Sequence, residues 1–173
     1  MDIVEKFVEA MVKNRRRLFH STDSRNIVGI RQHGLLPTAA LELHGVNAIT
    51  GGDADSLGID RHKGLDQFVR LSFCRNHPMS HTARERGNIG QVRILTVDPT
   101  VLLRDGAKLA DRVATANEAE IGIPDEMIPK MDILATYQYL DWKIPENYER
   151  RNAAEKWEAL IPGTINQQDI FGL

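Results

Sequence analysis

Leu18-Phe19-His20-Ser21-Thr22-Asp23, followed by Asn26-Ile27-Val28-Gly29-Ile30 and by His33-Gly34-Leu35-Leu36, is the stretch on which the fold turns. Leu18 to Ser21 is short and suits a strand. A helix begins near Asp23 or Ser24, whose side chains cap N-termini well, and stops at Gly34, a good residue for the left-handed turn that ends helices. Leu35-Leu36-Pro37 then leaves the helix.

Upstream, Asp2 is a suitable N-cap, and Ile3, Val4, Phe7, Val8, Met11 and Val12 recur at helical spacing, which predicts an amphipathic helix over the first dozen residues. The run Arg15-Arg16-Arg17 at its end complements the helix dipole. Downstream, Thr38 to Gly64 carries few regular signals and reads as a long surface loop, which is uncommon inside a compact domain unless it serves a site. Phe68 to Phe73 and Val92 to Val97 read as strands, with Pro78 as the first residue of a short helix between them. Lys108 to Asp111 reads as a further short strand and Pro124 to Trp142 as helix interrupted at Pro129. Trp157 to Ile161 reads as the last strand, ended by Pro162-Gly163.

A length of 173 residues with 42% hydrophobic content predicts one globular domain over residues 1–173. The formal net charge of −2 excludes general polycation behaviour, so any nucleic-acid surface must be local. Candidate basic patches are Arg15 to Arg17, Arg61 to Lys63, and the set Arg70, Arg75, Arg84, Arg86 and Arg93. No apolar run approaches the roughly 18 residues of a membrane span, and MDIVEKFVEA carries acids unlike a signal peptide, so the expectation is a soluble cytoplasmic protein without membrane contact. Cys74 is the one cysteine, which excludes an internal disulfide; it reads as a buried free thiol, and no metal site is expected.

No phosphate loop, GxGxxG, HExxH or GxSxG is present. The opening stretch, an aromatic-His pair on a strand before a helix ending in Gly-Leu, resembles the opening of ADP-ribosyltransferases. Three later segments narrow the resemblance to the DarT family: Leu65 to Cys74 with Pro78-Met79, Leu109-Ala110-Asp111-Arg112-Val113-Ala114, and Glu158-Ala159-Leu160-Ile161-Pro162. The resemblance implies an α+β ADP-ribosyltransferase fold, a split and mostly antiparallel sheet with flanking helices. It also implies NAD as co-substrate, bound in a cleft with His20 and Glu158 on facing walls. The residues before Glu158, Ala153 to Trp157, lack the Arg-Gln-Ala of the family, and the chain ends at Leu173 where members commonly continue into another strand.

Cleaving the nicotinamide–ribose bond develops positive charge on the sugar, which a nearby carboxylate stabilises. The resemblance gives that role to Glu158, with Glu155 the alternative if the register shifts by three. His20 is expected against the NAD ribose, with Ser21 and Thr22 continuing the binding strand. Gly29 and Leu36 match positions lying against the dinucleotide, where a missing side chain and an apolar wall permit close approach. Arg61 matches the family's catalytic arginine by order and spacing; clamping the pyrophosphate is the easier task for a group that stays protonated, and Arg70 or Arg75 are alternatives. The implied partners are single-stranded DNA as acceptor, held by Arg70, Arg75, Arg84 and Arg86 with Phe73 or Tyr137 stacking a base, and a DarG-like macrodomain antitoxin. Transfer to RNA or protein, and a non-catalytic binding module, are the competing readings.

Overall fold

Asp2 and Glu5 cap helix α1 (Ile3–Lys13) reciprocally: Glu5 N donates to Asp2 Oδ1 at 2.7 Å and Asp2 N donates to Glu5 Oε2 at 3.0 Å. The computed structural model describes residues 1–50, 54–87 and 90–173. Val4, Val8 and Met11, one face of α1, are buried in the main hydrophobic core. The chain then runs through β1 (Leu18–Asp23), α2 (Ile27–His33), α3 (Thr38–Leu43), α4 (Ala54–Lys63), β2 (Phe68–Ser72), α5 (Pro78–Glu85), β3 (Val92–Val97), β4 (Lys108–Ala110) and β5 (Ile121–Gly122). Short helices α6 (Pro124–Met127) and α7 (Ile133–Tyr137) and the longer α8 (Pro145–Ala154) precede β6 (Glu158–Pro162) and β7 (Ile170–Phe171).

These strands form one seven-stranded sheet in the order β5-β4-β6-β2-β1-β3-β7, with every recorded pairing antiparallel. β1 pairs with β3 along its whole length, from Leu18↔Val97 to Asp23↔Val92, and β2 pairs with β6 from Phe68↔Pro162 to Ser72↔Glu158. Between β1 and β2, at the centre, the register holds only Phe19↔Ser72. The sheet is therefore zipped at one point and splayed beyond it. Where the ladder stops, His20 Nδ1 lies 3.1 Å from the Arg70 carbonyl and substitutes for a backbone partner. Leu18, Leu71, Leu95, Val97, Leu109, Ala159 and Ile161 fill one face of the sheet.

The expected α+β architecture with a split antiparallel sheet is the one found. Three local expectations need correction. The stretch from Thr38 to Gly64 contains α3 and α4 instead of a continuous loop, apart from residues 51–53, which lie outside the described residues. Gly58 and the scarcity of apolar residues in α4 hide its helical period, and it forms because Leu57 and Asp60, three apart, share the face turned to the protein. Pro124 to Trp142 is broken further than Pro129 requires, into α6, a 3-10 turn over Ile128–Lys130, and α7. The final strand is β7, which adds two residues to the β3 edge, a length too short to carry a periodic signal. Among the described residues no helix is long and apolar enough to cross a membrane.

Gly34 sits at φ 77°, and a Cβ there would press on the Ile165 carbonyl, which accepts from Leu35 N at 2.9 Å. Gly29, inside α2, would meet no protein atom within 4 Å. Gly34→Ala is expected to destabilise by at least about 1–3 kcal/mol through backbone strain. Gly29→Ala is expected to stabilise by about 0.5–1 kcal/mol through reduced chain entropy. Thermal unfolding of the two variants checks this; shifts of the same sign contradict the assignment of Gly34 as the constrained position.

Candidate active site

The gap opened by the divergence of β1 from β2 is a cleft. Its lining includes His20, Ser21 and Thr22 of β1, Gly29 of α2, Leu36, Leu57 and Asp60 of α4, and Phe68, Val69 and Arg70 of β2. Five residues predicted to bind cofactor, His20, Ser21, Thr22, Gly29 and Leu36, thus border one space. Burial lowers the His20 pKa despite its hydrogen bond to the Arg70 carbonyl, so the ring is neutral near pH 7. With Nδ1–H directed to that carbonyl, Nε2 is left as an acceptor for a hydroxyl.

Asn26 fixes the far wall. Its Nδ2 donates to Thr22 Oγ1 at 3.0 Å and to the Ile49 carbonyl at 2.7 Å, while Ile49 N donates back to Oδ1 at 2.8 Å. These bonds tie the segment after α3 to β1 without any regular structure in between. Asp23, fully buried, closes the strand end by accepting from Arg25 Nε and Nη2 and from Gly90 N, and the Arg25 hydrogen bonds hold its carboxyl well below the usual range.

From the cleft wall inward runs a small network of buried charge. Arg70 Nη2 donates to Asp60 Oδ2 at 2.5 Å, and Asp60 is 3% exposed. Its other oxygen, Oδ1, is buried with no hydrogen-bond partner, a state that costs free energy unless a ligand supplies a donor. Burial raises the Asp60 pKa, partly offset by Arg70. Glu158 opens β6 opposite Ser72 and Ala110; Ala114 N donates to its Oε2 at 2.9 Å and His77 Nε2 lies 3.4 Å from its Oε1. Burial pushes the Glu158 carboxyl up to about 7, against the pull of Arg70 and the Ala114 N–H. Burial pulls His77 down to about 4, so at neutral pH the contact joins a neutral imidazole to a carboxyl and is not an ion pair.

His20 and Glu158 do not face one another across the cleft. They stand on β1 and β6, the two strands that flank β2 in the sheet. Glu158 does not line the cleft; Arg70, which does, lies between. Arg61 also lies outside the lining, with its Nη2 on Glu42 Oε1 at an exposed rim. Its position four residues after Leu57 sets it on the flank of the face that closes the cleft. Of its alternatives, Arg70 enters the cleft and Arg75 does not. Glu155 is engaged by Arg151 Nε at 2.9 Å on the α8 side. Phe73 is a core residue, 2% exposed and packed against Phe7, which removes it as a stacking platform. Asp60 and His77 were not singled out from the sequence: His77 meets Glu158 only when distant segments come together, and the burial of Asp60 beside Arg70 depends on α4, a helix whose period the sequence hides.

A proton kept by Glu158 in the folded state but lost at pH 4.5 when unfolded makes folding stability fall as pH rises from about 4.5 to about 7. Glu158→Gln removes that dependence. Its unfolding midpoint relative to wild type is expected to rise between pH 5 and pH 8, by an amount equivalent to at most a few kcal/mol. Parallel stability curves for the two proteins would show that Glu158 titrates normally.

A family model described as "ssDNA thymidine ADP-ribosyltransferase, DarT" matches residues 19–171. No curated protein sequence matches the chain. Among solved structures, DarTG of Thermosipho africanus in complex with ADP-ribose is similar at TM-score 0.63 and 18% identity, over 90% of this chain and 42% of that one. DarT of Thermus sp. 2.9 in complex with ADP-ribosylated ssDNA is similar at TM-score 0.63 and 17% identity, over 90% of this chain and 78% of that one. The same protein in complex with NAD+ gives TM-score 0.59 at 19% identity, covering 90% and 79%. This chain therefore spans less than half the length of the Thermosipho chain. At these identities the likeness establishes the fold.

Proposed function

Because the chain belongs to the DarT family, whose model spans residues 19–171, we propose that it cleaves NAD and transfers the ADP-ribose to a thymidine of single-stranded DNA. The observation that carries this reading is the meeting of His20, Ser21, Thr22, Gly29 and Leu36 around one cleft in the split sheet, with Glu158 across β2. The cleft suits a dinucleotide in two further respects. A Cβ at Gly29 would intrude into space that no protein atom fills, and Asp60 Oδ1 awaits a donor such as a ribose hydroxyl.

NAD supplies a glycosidic bond to a charged leaving group; every other requirement falls on the protein. His20 Nε2 accepts a ribose hydroxyl, and Leu36 provides an apolar wall. Glu158, as carboxylate, stabilises positive charge developing on the ribose. Arg70 acts on this centre by holding Asp60 and by favouring the ionised form of Glu158. Arg61 is assigned to the pyrophosphate: its pair with Glu42 is solvent-exposed and contributes roughly 0–1 kcal/mol, so exchanging that carboxylate for a phosphate costs little. Biologically, the protein acts in the cytoplasm as the toxin of a toxin–antitoxin pair whose antitoxin is a DarG-like macrodomain protein.

Glu158→Gln is expected to lower the transfer rate at least about a hundredfold, equivalent to about 2.7 kcal/mol or more of transition-state stabilisation. Since the ionised carboxylate is the active form, wild-type kcat/KM should fall as pH drops below about 7. Arg61→Ala should raise KM for NAD with little change in kcat. Mass spectrometry of DNA, RNA and protein after incubation with NAD identifies the acceptor. Adducts on protein alone, or near-wild-type activity of Glu158→Gln, would refute the proposal.

A further inference from the structure

His77 meets the start of β6 at two points, and the chemistry above uses neither. Its Nε2 lies 3.4 Å from Glu158 Oε1, and its ring is hydrogen-bonded to the backbone of Lys156, two residues before Glu158. Pro78, the first residue of α5, biases the residue before it towards extended backbone and so limits the directions in which the His77 side chain can leave the chain. Both members of the pair are buried, His77 at 7% and Glu158 at 5% exposure, so the contact is shielded from bulk water.

The geometry fixes which way a proton between the two must point. Burial lowers the His77 pKa and the bond to Lys156 opposes that, as donation to a carbonyl does. Since Nε2 is turned to Glu158, the donor is Nδ1, and Nε2 of the neutral ring carries a lone pair. Glu158 is asymmetric in the complementary sense. Oε2 accepts from Ala114 N at 2.9 Å, which leaves Oε1, the atom facing His77, to carry the carboxyl proton. An O–H at Oε1 aimed at the lone pair is favourable, whereas a carboxylate there is repelled by it. The separation of 3.4 Å is long for such a bond, as contacts in substrate-free sites commonly are. Besides burial, the charged groups acting on the pair are Arg70 of β2, which opposes a proton on either member, and Asp60 of α4, which favours one on Glu158. We propose that His77 is a positioning residue for the reaction: it accepts the Oε1 proton of Glu158, keeps that carboxyl in the acid form and so limits the carboxylate present near neutral pH. The inference rests on the reading that the Glu158 carboxylate serves NAD cleavage.

The test compares the full chain with His77→Gln and His77→Asn, following nicotinamide release from NAD in the presence of a thymidine oligomer across the pH range. A Gln amide can place an N–H where Nε2 stands and donate to Oε1, which favours the carboxylate. An Asn amide keeps the bond to Lys156 but reaches no further, and leaves Oε1 facing no acceptor. Both should move the acid limb of kcat/KM, expected near pH 7 in wild type, to lower pH. A downward move of about one pH unit in His77→Gln makes it about fivefold faster than wild type at about pH 6, an advantage that shrinks as pH rises. A gain of rate cannot come from a damaged fold. Infrared titration of the substrate-free proteins gives the same shift without any chemistry, through the carboxyl stretch of Glu158, identified by its loss in Glu158→Gln. If both variants keep the wild-type limb and the wild-type infrared titration, His77 is a structural clamp and the proposal falls. If the limb instead rises and the rate at low pH drops, His77 is a charged donor to Glu158, which overturns the proposal equally. A wild type that cleaves no NAD at any pH removes the function on which the inference rests, and the infrared titration then decides by itself whether His77 holds the proton.

Discussion

A single backbone bridge, Phe19↔Ser72, joins the two halves of the sheet. The candidate cleft depends on the pairing stopping there. Had β1 and β2 zipped along their length, the space bounded by His20, Gly29 and Arg70 would be closed by ladder hydrogen bonds. Divergence leaves main-chain groups of the two strands in need of partners, and His20 supplies one to the Arg70 carbonyl, while Asn26 satisfies both polar groups of Ile49 in the segment after α3. The same residues that keep the gap open are therefore its walls.

The network behind the gap is short of positive charge. Asp60 and Glu158 are both buried, and Arg70 is the cation that acts on each. Burial is the main reason Glu158 keeps its proton to about pH 7, with Arg70 and the Ala114 N–H opposing it and the neighbouring Asp60 adding a smaller push in the same direction. On the proposed function, the pyridinium ring of NAD, the cationic part of a molecule whose net charge is negative, would bring positive charge to this network and make the ionised form of Glu158 less costly.

How much of this was legible in the sequence follows from the range over which each feature is encoded. Helix α1, β1, α2 and β3 were readable because capping residues and apolar spacing lie within a dozen residues, and the ordered motifs led to the fold. Helix α4 was not, because a glycine and a polar surface mask the period of a helix whose role is to carry Leu57 and Asp60 inward. Asp60 was illegible with the helix that carries it, since its pairing with Arg70 ten residues on depends on α4, and His77 because its partner Glu158 is remote in sequence. Phe73 misled because an aromatic at a strand end has the same local sequence whether it points to the core or to solvent.

The tie between Leu35 and Ile165 has a consequence for the timing of synthesis. These residues exchange both backbone hydrogen bonds, and Gln167 reaches back to the carbonyls of Arg31 and Gln32 at the end of α2. The helix that bears Gly29 is thus clamped by a segment translated more than a hundred residues later, close behind the strand that carries Glu158. A nascent chain on the ribosome has the stretch around Gly29 early but neither its clamp nor Glu158. The wall that bears Gly29 therefore reaches its final place only once residues 165–167 have left the ribosome.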